Sequence, residues 1–239
     1  VVGGAIYNKG TLTINGASIT NNTADYGGAI GNVGTITINS GTISGNSSTT
    51  HGGAIIMDAG TITIVDGTFS GNSGNNGGFL ASSNSPKVIV KGGTFENNTA
   101  GAYGGVLDIS GTAEITGGLF KNNKAYGGGA MSQVEATSSV ITVTGGTFDS
   151  NTATFISGAI NLHNGSIGGS AVFTNNSVTS GNGGAVAIGT NNVTIDGGTF
   201  TGNKAENGQG GAIYNESTNP ATISGAVFKQ NTAKNGGAI

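Results

Sequence analysis

Apolar and polar residues alternate in short runs that return at a regular interval. In Thr35-Ile36-Thr37-Ile38 and Thr61-Ile62-Thr63-Ile64 every second residue is apolar, the pattern of a strand with one buried face. The recurring pairs are Leu12/Ile14, Ile36/Ile38, Ile62/Ile64, Val88/Val90, Ala113/Ile115, Ile141/Val143, Val193/Ile195 and Ala221/Ile223. One repeat breaks the pattern, placing Ser166 and Gly168 at those offsets with Ile167 between them.

Each pair precedes a second mark, a large apolar residue followed three positions later by Asn. These tetrads are Ile19/Asn22, Ile43/Asn46, Phe69/Asn72, Phe95/Asn98, Phe120/Asn123, Phe148/Asn151, Phe173/Asn176, Phe200/Asn203 and Phe228/Asn231. Only Phe79 and Phe155 among the phenylalanines stand outside them. A third mark, Gly-Gly-Ala-Ile or a close variant, alternates with the tetrads, its second Gly running from Gly4 through Gly28, Gly53 and Gly78 to Gly237. The repeat length is about 26 residues.

Three short strands per repeat are expected, as in Gly53–Met57, Thr61–Ile64 and Thr68–Ser70, with Gly, Asn, Asp and Ser at the turns. Three such strands bury no core alone, whereas stacked coils cover one another. The prediction is an all-β fold, a right-handed single-stranded parallel β-helix (solenoid) of about nine coils. It occupies residues 1–239 as a single repeat domain. Val1 and Ile239 both fall inside a repeat, so the chain reads as a segment of a longer protein. The seven Phe are expected to form an internal ladder. The nine Asn are expected at a bend, where buried amides satisfy turn groups and one another. The Gly-Gly pair supplies either positive φ or close backbone approach.

Composition narrows the function classes. Gly accounts for 48 of 239 residues, charged residues for 8%, and the eight cations are all Lys. With a net charge of −3 the chain lacks the basic face that nucleic acid requires. No apolar run approaches the roughly 20 residues of a membrane-spanning helix. There is no Cys, hence no disulfide or thiolate metal site.

Gly-Gly-Ala-Ile alternating with Phe-x-x-Asn resembles the polymorphic outer membrane protein repeats of chlamydiae and related adhesin-like surface proteins of bacteria and archaea. The resemblance extends from Gly3 to Ile239 and departs at Ser157-Gly158, Ile19 and Ile43. It implies an exported autotransporter passenger, extracellular or at the cell surface, that acts in adhesion without catalysis. The implied partner is a host-cell or matrix protein or glycan. A structural fibre, formed by end-to-end self-association into filaments, is the alternative reading. A polysaccharide-active enzyme and an ice-binding protein rank behind it.

The residues offer little else. Glycoside hydrolysis requires two facing carboxylates. The acids Asp25, Asp58, Asp66, Asp108, Asp149, Asp196, Glu96, Glu114, Glu135, Glu206 and Glu216 are spread along the coils and read as solvated turn residues. His51 and His163 read as isolated, so no catalytic, cofactor or metal site is assigned. Tyr26 and Tyr103 precede a Gly-Gly, and Tyr7 and Tyr214 follow a Gly-Gly-Ala-Ile, too far apart to form a continuous aromatic platform. An outward Thr array, Thr11/Thr13, Thr35/Thr37 and Thr61/Thr63, decays in later coils.

Overall fold

The computed structural model describes residues 2–134 and 139–239, so Val1 and Glu135 lie outside the described residues. The chain is a parallel β-solenoid of nine coils closed by three parallel sheets. The first sheet collects the segment after each Gly-Gly-Ala, from Ile6–Asn8 and Ile30–Asn32 to Ile213–Asn215. Like residues face one another, as in Ile30↔Ile55 and Ile55↔Leu80.

Three sheets per coil match the expected strand number, but the strands divide differently. Thr61–Ile64 and Thr68–Ser70 are two segments of one sheet, the second. In other coils the two merge into one bent strand, such as Thr35–Ser44. The third sheet forms after the ladder Asn, in segments such as Ser47–His51 and Lys204–Gln209 that show no apolar alternation. The strand expected over Gly53–Met57 is confined to Ile55–Met57, because both glycines are consumed by the bend.

The alternating pairs of the second sheet turn inward. Ile36, Ile38, Ile62, Ile64, Val88 and Val90 are fully buried while Thr35 faces solvent. The irregular seventh repeat keeps the column by a local insertion. Ile167 pairs with Val143 and Ile195, where the offset rule points to Gly168. One additional residue is then taken up in a bulge between Gly169 and Val172. Gly165 occupies the other inward place, opposite Ile141 and Val193. A Cβ there would strike the Ile141 carbonyl oxygen.

Both roles considered for the Gly-Gly pair are present, one per glycine. The first glycine is left-handed, with φ of 66° at Gly52 and 63° at Gly77. The second lies against the next coil, so that a Cβ on Gly53 would collide with the Gly78 carbonyl oxygen. The first position is Ser157 in one coil, and it takes φ 49° despite its Cβ.

Candidate functional site

The two ladders come first, because they set the spacing of everything on the surface. Phe69, Phe95, Phe120, Phe148, Phe173, Phe200 and Phe228 run through the interior with ring centroids 4.6–5.1 Å apart. The first six are fully buried, and Phe228 is partly buried. Phe79 joins from the first-sheet side, 4.8 Å from Phe69. Ile43 pairs with Phe69 and continues the column.

Asn46, Asn72, Asn98, Asn123, Asn151, Asn176 and Asn203 are fully buried, with Asn22 and Asn231 at the ends. Each Nδ2 from Asn46 to Asn203 donates to the Oδ1 of the next Asn and to the backbone carbonyl of the apolar residue one coil back. For Asn98 these acceptors are Asn123 and Phe69. The backbone N–H of Asn98 also donates to Asn123 Oδ1. Every internal amide thereby uses both hydrogens and both lone pairs. The residue ahead of each ladder Asn is left-handed, as at Asn97, Asn122 and Gly202, which turns the chain into the third sheet. Both ladders are closed to ligands, and they hold the coils in register.

The surface differs at one corner. Strands of the second sheet alternate between buried and exposed, but in the first sheet Ile55–Met57, Leu80–Ser82, Leu107–Ile109, Met131–Gln133 and Ile160–Leu162 are buried at every position. Their central residues point away from the core and are nevertheless covered. The cover comes from the end of the third sheet, where the chain overhangs before reversing at the left-handed glycine. The result is a groove running along the rod at this corner.

Over its middle the groove opens into a cleft of about 420 Å³, lined among others by Asn76, Tyr103, Asp108, Phe155, Asn161 and His163. Two further hollows lie at the same corner, about 470 Å³ beside Tyr26 and His51, and about 340 Å³ beside Gln209 and Tyr214. Tyr103, Tyr126 and Phe155 lie on three successive coils and are 41%, 41% and 53% exposed. Tyr126 stacks on Phe155 at 5.2 Å, and Tyr103 meets Tyr126 edge-on at 6.4 Å. Gly127, which pairs with Tyr103 and Ile156, has no side chain to hold these two apart.

Three expectations are therefore corrected. The aromatic residues do form a continuous platform over three coils, because Tyr126 and Phe155 fill the coils next to Tyr103. Asp108 is not a solvated turn residue: it is 4% exposed, and burial raises its carboxyl from 3.8 to about 7. Its column neighbours are Ala81 and Ser132. His163 is not isolated, since it lines the Asp108 cleft and its backbone N–H donates to Gln133 Oε1. His51 stacks on Tyr26 at 5.8 Å. Repeat alignment carries the missing signal, because Tyr126 and Phe155 each stand two residues ahead of the left-handed position.

Other acids behave as surface residues. Glu114 pairs with Lys87 at 2.7 Å, Glu206 with Lys204 at 3.0 Å, and Asp196 accepts from Ser224. Among the described residues no group of three or more His, Asp or Glu could hold a metal ion. The Thr array is in register over three coils and ends at Lys87 and Ile89.

Residues 190–216 match the family model of the Chlamydia polymorphic membrane protein repeat. No curated protein and no solved structure matches the chain. The matched segment contains Phe200 and Asn203 and the sequence Gly210-Gly211-Ala212-Ile213, marks that recur with few departures along the coils, so the chain carries repeats similar to those of the Chlamydia polymorphic membrane proteins.

Proposed function

We propose that this chain is a rigid scaffold at the cell surface, of the adhesin kind, which attaches to a host-cell or matrix surface through its grooved corner. One observation carries this reading: Tyr103, Tyr126 and Phe155 form a run of exposed, mutually packed rings on three coils. Rings of this type provide contact area at low entropic cost and concentrate at binding surfaces. The ladders fix the distance between coils, so the platform needs little ordering on contact. Repeats similar to those of a membrane protein family of chlamydiae support an extracellular or outer-membrane setting. In this reading the rod works by binding, without turnover.

The test is attachment of the purified chain to cultured epithelial cells and to immobilised matrix. A Tyr103→Ala/Tyr126→Ala/Phe155→Ala variant loses attachment while its thermal midpoint stays near that of the parent. Equal attachment by parent and variant removes the platform from the function. Long filaments from the parent chain, with no attachment, favour a structural fibre.

A further inference from the structure

We infer that the cleft beneath the aromatic platform is a binding site for an uncharged oligosaccharide, lying along the rod with its sugar faces on Tyr103 and Phe155 and its hydroxyls on Asp108 and Asn161. The inference rests on the attachment reading and specifies its ligand.

Four observations converge. The cleft joins exposed ring faces to buried polar groups within one hollow, the combination that suits a ligand with apolar C–H faces and a rim of hydroxyls. The polar groups are unsatisfied. Asn161 Oδ1 and Asn76 Oδ1 are buried with no hydrogen-bond partner. Asp108, 4% exposed as a residue, makes no side-chain hydrogen bond or ion pair among the described residues. A buried polar atom left unpaired is costly, so a site that keeps several in one place gains by meeting donors there. Hydroxyl groups supply such donors to all three.

Charge selects the class of sugar. No Lys lines the cleft. The carboxylate of a uronic or sialic acid would therefore face Asp108 with no Lys to offset it, His163 being the one basic side chain among the lining residues. Burial that raises the Asp108 carboxyl to about 7 leaves it partly protonated near neutrality, able to donate to as well as accept from a hydroxyl. The groove also favours an extended ligand: the hollow beside Tyr26 and His51 lies at the same corner, toward the amino-terminal coils.

The experiment prints neutral oligosaccharides, including cellohexaose, chitohexaose and mannohexaose, beside acidic ones, including hexagalacturonate and sialylated glycans. The chain is applied to the array and retained sugars are titrated by calorimetry. The expected result is retention on neutral oligomers, weakened about tenfold by Tyr103→Ala or by Phe155→Ala. Asp108→Ala also weakens it, and Thr37→Ala on the outer face of the second sheet leaves it unchanged. Melting curves confirm that each variant is folded. Retention of no neutral oligomer, retention of acidic sugars alone, or affinity indifferent to both ring substitutions overturns the inference. Attachment that depends on the platform but survives periodate oxidation of the target's glycans leaves the scaffold reading standing and removes the sugar.

Discussion

Asn123 donates from its backbone N–H and from its side-chain amide to the single Oδ1 of Asn151, at 3.0 and 2.9 Å. Asn151 in turn donates to Phe120 O and to Asn176 Oδ1. Removing this side chain strands the Asn123 donors and the Phe120 carbonyl on one flanking coil and a lone pair of Asn176 Oδ1 on the other, all fully buried. Asn151→Ala is therefore expected to destabilise by about 3 kcal/mol or more. Asn151→Asp keeps the acceptor for Asn123 but loses both amide donors and sets a carboxylate against Asn176 Oδ1, so it is no rescue. Denaturant unfolding of the two variants measures this. A loss below about 1 kcal/mol for Asn151→Ala would mean that the stranded groups find water.

The aromatic column responds differently, because it loses packing and leaves no polar group unpaired. Phe148 lies 4.6 Å from Phe120 and 4.9 Å from Phe173, fully buried. Phe148→Ala is expected to cost about 3–5 kcal/mol. Phe148→Ile costs clearly less, since Ile43 already occupies this column one coil from Phe69. Chemical denaturation of the pair gives the order, and a larger loss for Ile than for Ala would contradict column packing.

The parts legible in the sequence are those in which a single offset recurs. The second sheet and both ladders were of this kind, because Ile36/Ile38, Phe69 and Asn72 repeat at constant spacing. The third sheet was hidden for a physical reason. Its inward column is Ala100, Ala125, Ala153, Val178 and Ala205, and segments such as Thr99–Ala100 are two residues long. One small residue per coil gives no alternation to read. The cleft was hidden because it combines columns with different offsets. Phe155 comes from the end of the third sheet and Asp108 from the outer face of the first, and only the concave corner buries an outward-pointing residue. The mixed role of Gly-Gly was equally beyond composition, since left-handed φ at Gly52 and backbone contact at Gly53 both demand glycine.

Ser157 is the exception at that first position, and it is strained. It has a left-handed φ of 49° and a buried hydroxyl with no hydrogen-bond partner. A left-handed conformation costs a residue with a Cβ about 1–2 kcal/mol, and the unpaired hydroxyl adds to that. Glycine's greater freedom in the unfolded chain takes back about 0.5–1 kcal/mol. Ser157→Gly should thus stabilise by about 1 kcal/mol, raising the denaturation midpoint with no change in the denaturant slope. A lower midpoint would show that the serine makes a contribution unrelated to its bend.

Asp108 links the cleft to pH. Its carboxyl titrates at about 7 in the folded chain against 3.8 ordinarily, because burial disfavours the charge. Between these values the folded state holds a proton that the unfolded state has released. Stability therefore falls as pH rises from about 4 to about 7 and is level above that. Asp108→Asn removes the titration while keeping the shape. It should leave stability little changed near pH 4 and raise it at pH 8 by on the order of 4 kcal/mol. Urea melts at several pH values on both chains provide the comparison. Repeating them on a His163→Gln background controls for the other ionisable side chain that lines the cleft. If the two chains keep parallel profiles from pH 4 to 8, the carboxylate is solvated in solution, and the cleft is more open than its 4% exposure of Asp108 implies.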